Sequence, residues 1–184
     1  DQGGRKMNEV IKIPLDRVAV LVGPKGSIKE LIEEKSTTTI NIQSSSGTVE
    51  IMDAKDPIKG MRAREVVHAI ARGFSPEKAT KLFDDDNLMI ETIDISNIAR
   101  NEKDMERLKG RIIGRAGKTR EVFEELTNVR ISVYGKTISI IGYPEQNAVA
   151  RAGIDMLLKG SAHGPVYKFL EKKRTDLKNV EMGF

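Results

Sequence analysis

Leu21-Val22-Gly23-Pro24-Lys25-Gly26 and Ile112-Ile113-Gly114-Arg115-Ala116-Gly117 organise this chain. Each is an apolar pair followed by Gly-x-x-Gly, and they stand 91 residues apart, Gly23 to Gly114 and Gly26 to Gly117. The similarity continues downstream at the same spacing. Glu30-Leu31-Ile32 answers Glu121-Val122-Phe123, and Ile40-Asn41-Ile42 answers Ile131-Ser132-Val133. The spacing falls to 89 at Val49-Glu50-Ile51 and Ile138-Ser139-Ile140. Two residues have gone from a turn, where deletions are tolerated. A decayed tandem duplication explains this register better than chance.

Both copies read as the same series of elements. In the first, Val10–Pro14 alternates as a strand, Asp16 can cap a short helix through Leu21, and Ser27 can cap a helix to Lys35. Two strands follow at 39–43 and 48–52. Pro57 then opens a long helix with Ala63, Val66, Val67 and Ile70 at helical spacing. The second copy places strands at 89–95, 129–133 and 137–141, and helices at 104–113, 118–126 and 144–159. Ser75-Pro76-Glu77 reads as a helix start before the acidic stretch Asp84-Asp85-Asp86-Asn87. Gly160 to Pro165 reads as a turn, and 166–178 as a terminal helix packing through Val166, Phe169 and Leu170. The expected class is α+β, βααββα twice plus a C-terminal helix.

A Gly-x-x-Gly turn that ends at a helix N-terminus has a definite chemistry. Without side chains, Gly23, Gly26, Gly114 and Gly117 let another backbone approach. The helix start offers unpaired N–H groups and partial positive charge, which suit a phosphodiester. Pro24 and Ala116 are small and leave the turns open. Lys25 and Lys29 accompany the first turn; Arg111, Arg115 and Lys118 accompany the second. Val22, Ile113, Ile40 and Ile131 are candidates for the floor and wall of a groove taking unstacked bases. A single such turn is weak, because helix–helix turns often use glycine. Two in equivalent positions beside basic residues are much stronger.

Composition narrows the alternatives. The 184 residues include no Cys and two His, so thiolate chemistry, disulfides and Cys-ligated metals are excluded and a His-rich metal site is not expected. No cofactor is called for. No apolar run approaches the ~20 residues of a membrane span. Asp1–Lys6 is polar, and a cytoplasmic setting is the expectation. Residues 1–92 hold 14 basic and 15 acidic side chains, against 17 and 12 in residues 93–184. The excess is densest from Arg100 to Arg120 and returns at Lys168, Lys172, Lys173, Arg174 and Lys178. This asymmetry points to a polyanion, although a charge run taken alone reads first as the solvated face of a helix. Gly117-Lys118-Thr119 imitates a phosphate-binding loop, but position 112 is Ile where that motif needs Gly.

The duplicated βααββα unit with its Gly-x-x-Gly turn resembles the type I KH domain. The chain as a whole resembles the archaeal two-KH family of small-subunit ribosome assembly. The stretches that carry this likeness are Ile11–Pro14, Arg72–Pro76, Arg111–Arg120, Val133–Thr137 and Gly160–Arg174. The likeness implies a first KH domain at 8–74, a helical and acidic linker at 75–88, a second KH domain at 89–160, and a C-terminal helix and tail at 161–184. It implies a non-enzymatic factor binding single-stranded RNA at the 3′ region of small-subunit pre-rRNA. The PIN-domain endonuclease of rRNA maturation is implied as a partner, and the alpha subunit of an initiation factor more weakly. The alternative is a protein-interaction scaffold with little RNA affinity of its own. Glu30, Glu33 and Glu34 follow the first glycine turn, so the second copy is expected to contribute more RNA affinity.

Overall fold

The computed structural model describes residues 8–181; the polar start Asp1–Lys6 and the tail at 182–184 lie outside the described residues. The chain divides into two compact units between Asp86 and Asn87. In the first, β1 (Glu9–Lys12) is followed by α1 (Leu15–Val22), α2 (Ser27–Ser36), β2 (Thr39–Gln43), β3 (Thr48–Met52) and α3 (Pro57–Ala71). A one-turn helix α4 (Pro76–Ala79) and a 3-10 turn (Thr80–Phe83) complete it. The second unit runs β4 (Met89–Asp94), α5 (Glu102–Ile113), α6 (Lys118–Thr127), β5 (Arg130–Tyr134), β6 (Thr137–Gly142), α7 (Pro144–Leu158) and α8 (His163–Glu181).

Both sheets are antiparallel, with the last strand in the middle: β1-β3-β2 and β4-β6-β5. Ile11 pairs with Val49 and Ile93 with Ile138, so the two sheets share one register. Strand alternation sends Ile40, Val49 and Ile51 into the first core, where Leu21, Ile32, Val66, Val67 and Ile70 meet them. The second core repeats this with Ile131, Ile138 and Ile140 against Ile112, Phe123, Ile154 and Leu157. Gly153 permits close packing there. A Cβ on it would lie 2.8 Å from the Phe123 ring and 3.0 Å from Leu170.

Polar contacts also repeat at the 91-residue spacing. Ser36 Oγ donates to the Ile32 carbonyl and Thr127 Oγ1 to that of Phe123, both at 2.6 Å. Glu33 accepts from the Ile40 N–H at 2.9 Å, and Glu124 from that of Ile131 at 3.1 Å. Thr37 and Asn128 end the two helices with φ of 53° and 57°. Each carboxylate locks a helix onto the strand that follows it. The duplication therefore extends to bonds as well as to apolar pattern.

Several local expectations need correction. α1 has no side-chain cap: it starts after Pro14, and Asp16 sits in its first turn. Gly26, not Ser27, is the residue before α2. α5 begins at Glu102, where Asn101 and Asp104 form a reciprocal cap. Asp104 N–H donates to Asn101 Oδ1 at 2.8 Å, and Arg100 N–H donates to Asp104 Oδ2 at 3.0 Å. The Arg100 N–H, followed by Arg107, holds the Asp104 carboxyl below its ordinary pKa. Residues 76–83 pack into the first unit through fully buried Ala79 and Leu82. α8 begins at His163 rather than at Val166, because Pro165 falls in a first turn that needs no N–H from it.

Candidate nucleic-acid interface

The two glycine turns have nearly one conformation. Gly23 and Gly114 take φ of 73° and 76°, with ψ of 173° and 174°. Lys25 and Ala116 are left-handed at φ 54° and 53°, and Gly26 and Gly117 at φ 77° and 76°. Inside each turn the second glycine N–H donates to the first glycine carbonyl, at 3.1 Å for Gly26 and 3.2 Å for Gly117. Neither following helix has a side-chain cap; the first N–H of each, from Ser27 and Lys118, donates back to the Pro24 and Arg115 carbonyls, and the helix start carries partial positive charge.

The glycines in each turn have different jobs. A Cβ on Gly23 would stand 2.8 Å from the Ile28 backbone nitrogen, and one on Gly114 2.7 Å from that of Thr119. The first glycine is therefore required by the fold. A Cβ on Gly26 would meet nothing within 4 Å, and one on Gly117 would meet only Arg120, at 3.9 Å. The second glycine faces open space beside the uncapped helix start. This is the position where an incoming backbone would come closest.

Basic residues sort by their existing partners. Lys25, Arg115 and Lys118 are exposed and make no ion pair with any described residue. Lys29 pairs with Glu33 at 3.6 Å, as its counterpart Arg120 pairs with Glu124 at 3.8 Å. Arg111 was expected to contact nucleic acid, and the structure gives its guanidinium another task. Nε donates to the Leu157 carbonyl at 3.1 Å, and a terminal nitrogen donates to that of Ser161. Arg17 does the same in the first unit, with bonds of 2.7 Å to Ile70 and 2.8 Å to Phe74. Both arginines tie the helix before the turn to the end of the third helix. Further along the run, Arg107 pairs with Asp104 at 2.8 Å and Lys109 with Glu106 at 3.5 Å, so much of the 100–120 charge is locally answered.

The apolar wall also differs from expectation. Val22 and Ile113 are half-buried beside the turns, but Ile40 and Ile131 are 1% and 3% exposed and belong to the cores. Strand parity explains this: Ile40 faces inward, so its exposed neighbours Thr39 and Asn41 face outward. In the second unit the outward residue is Arg130.

Sequence reasoning missed the brace behind the second turn. Tyr167 OH on α8 donates to Thr119 Oγ1 at 3.0 Å, and Thr119 lies directly under Gly114. His163 Nε2 sits 3.0 Å from the Arg111 carbonyl, one turn before Gly114. Its ring packs edge-on to Tyr167, with centroids 6.1 Å apart. α8 thus holds both flanks of the turn. The first unit has Ile28 at the Thr119 position, with no hydroxyl to hold.

A helix–Gly-x-x-Gly–helix turn on a β-α-α-β-β-α unit defines a KH-type nucleic-acid-binding module. The profile of the second KH domain of PNO1, described as eukaryotic type KH-domain (KH-domain type I), matches residues 89–175. A KH domain-containing protein of Methanocaldococcus jannaschii is 44% identical over 181 residues, covering 97% of this chain and 79% of that protein. The pre-rRNA-processing protein pno1 of Schizosaccharomyces pombe is 27% identical over 170 residues, covering 90% of this chain and 70% of that one. The crystal structure of the a/eIF2alpha–aDim2p–rRNA complex from Pyrococcus horikoshii contains a chain with TM-score 0.88 and 42% identity, over 95% of this chain and 98% of that one. This chain belongs to the Pno1/Dim2 family of pre-rRNA-processing KH-domain proteins.

Proposed function

We propose that this protein is a non-catalytic assembly factor that holds the single-stranded 3′ region of small-subunit pre-rRNA. In this reading residues 8–74 and 89–160 are tandem type I KH domains, and their Gly-x-x-Gly turns receive the RNA backbone. One observation carries it: both turns present a second glycine to open space at an uncapped helix start, beside exposed Lys25 in one and Arg115 and Lys118 in the other. The partial positive charge of a helix start and unpaired cations are what a phosphate needs. Exposed strand residues beside the turns would meet splayed bases, roughly four per KH domain. The family supports an rRNA substrate. The Pyrococcus complex, in which the relative is joined with a/eIF2alpha and rRNA, supports the alpha subunit of an initiation factor as a partner. A PIN-domain endonuclease, acting on the RNA held here, completes the reading.

Fluorescence anisotropy with a labelled RNA matching the 3′ end of small-subunit rRNA tests this. The strand is compared with a scrambled strand and a duplex across a salt series. Tight, sequence-selective single-strand binding is expected, with a log–log salt slope of about −0.7 per phosphate contact. Equal, weak binding to all three would replace the RNA reading with that of a protein scaffold.

A further inference from the structure

The second unit holds a segment that the first lacks. β1 reaches α1 through Ile13 and Pro14 alone, whereas β4 reaches α5 through residues 95–101. α5 has 12 residues against 8 in α1. Both helices end beside the first glycine of their turn, so the extra residues of α5 lie at its start. The added segment is fastened. The Ile95 N–H donates to the Lys136 carbonyl in the β5–β6 turn at 2.9 Å, and the Ala99 N–H donates to the Ile95 carbonyl at 3.0 Å.

This segment and the β5–β6 turn enclose a cleft of about 560 Å³, the size of a small-ligand site. Ala99 and Met105 line it, half-buried against the second core. Three polar side chains in the lining are uncommitted among the described residues. Lys136 is exposed and makes no ion pair. Glu102 makes neither an ion pair nor a side-chain hydrogen bond. Asn101 spends its Oδ1 on the Asp104 N–H and keeps its amide hydrogens free. By contrast, Lys109 is paired with Glu106 at 3.5 Å and Arg100 with Asp104 at 3.7 Å.

α5 connects this cleft to the glycine turn. Met105 and Lys109 line the cleft, and Ile113, next on the same stripe, is half-buried beside Gly114. The cleft and the turn therefore lie toward opposite ends of one helix face, with Met105 and Ile113 about 12 Å apart along the axis.

We propose that this cleft takes a further nucleotide of the RNA strand held at the second glycine turn, so that the second unit has a longer footprint than the first. The inference rests on the RNA-binding reading of the glycine turns. Lys136 would meet the phosphate, and Ala99 and Met105 would lie against the base. Asn101 and Glu102 would offer its edge one donor and one acceptor. A nucleotide suits this lining because it joins an anion, an apolar face and a polar edge. A helical protein segment needs a longer apolar strip than Ala99 and Met105 provide.

The test is NMR of the full chain with labelled Met and Ala methyls. The Ala116 methyl reports on the turn, and those of Met105 and Ala99 report on the cleft. Strands matching the 3′ end of small-subunit rRNA are shortened one nucleotide at a time from either end. At one step the Met105 and Ala99 signals should return to their free positions while Ala116 stays shifted. Affinity should fall about threefold to tenfold at that step, the worth of one or two hydrogen bonds. Lys136→Glu, at an exposed turn position, should erase that step and the Met105 shift while the Ala116 shift remains. Strands that shift Ala116 but leave Met105 and Ala99 unmoved would overturn this proposal alone and leave the cleft to a protein segment. An Ala116 methyl unmoved by every strand would overturn the RNA-binding reading and this proposal with it. A free mononucleotide that moves Met105 as far as the strand does would also overturn it, in favour of a small-molecule site.

Discussion

The two glycine turns share a backbone and differ in what stands behind them. The φ and ψ angles of the first turn are reproduced in the second within a few degrees. The first turn carries one unpaired cation, Lys25, and rests on Ile28. The second carries Arg115 and Lys118 and rests on Thr119, which Tyr167 of α8 holds in place. Turn geometry comes from glycine positions and can survive duplication unchanged. Affinity depends on charge and preorganisation, which diverge independently. We therefore propose the second turn as the main RNA contact, with the first a lesser one that shapes the site.

The strongest way to break the comparison is at the first glycines, where the turns should behave alike. Gly23→Ala and Gly114→Ala each push a Cβ into the next helix's backbone at an unfavourable φ. Each should cost about 2–4 kcal/mol of stability by chemical denaturation. A harmless substitution at either site would remove the division of labour between the glycines.

Charge comes next. Arg115→Ala and Lys118→Ala should each weaken RNA binding severalfold and flatten the salt slope by about 0.7. Lys29→Ala should leave the slope nearly unchanged, because Glu33 already holds that ammonium. A salt titration of the three variants checks this.

Tyr167→Phe removes one hydrogen bond to Thr119. It should cost about 1 kcal/mol and speed hydrogen exchange at residues 118 and 119. Exchange at Ser27 and Ile28 in the first unit should not change. Equal exchange in variant and wild type would mean that α8 does not brace the turn.

The smallest effect lies in α3. Burial, then Arg72 and Arg64, pushes the His68 pKa below its ordinary 6.5. The unfolded chain therefore binds the proton more readily. His68's contribution is intact above about pH 6.5 and is lost as pH falls from there toward its folded pKa. Denaturant unfolding at pH 7.5 and 5.5 should show a decline that His68→Gln reduces.

The repeat spacing was enough to read the order of elements and the glycine turns. Apolar periodicity also placed Ala63, Val66, Val67 and Ile70 of α3 in a core. Arg111 could not be placed that way. Next to a phosphate-binding turn, an arginine that ties helices and one that meets RNA look alike. Only the carbonyls of Leu157 and Ser161, 46 and 50 residues away, distinguish them. Ile40 and Ile131 were misplaced because the inward face of each strand depends on sheet register. Tyr167 was invisible for the same reason as Arg111: its partner is 48 residues distant.

The decisive measurement compares Gly117→Asp with Gly26→Asp for affinity to the rRNA 3′-end strand. Both positions are left-handed, a conformation Asp tolerates, and neither Cβ meets a close neighbour, so both variants should fold. Each sets a carboxylate where a phosphate would sit. We expect a loss of about tenfold to a hundredfold for Gly117→Asp, on the order of 1.4–2.8 kcal/mol, and at most a few-fold loss for Gly26→Asp. Equal losses, or a larger loss at Gly26, would contradict the assignment of the second turn as the main RNA contact.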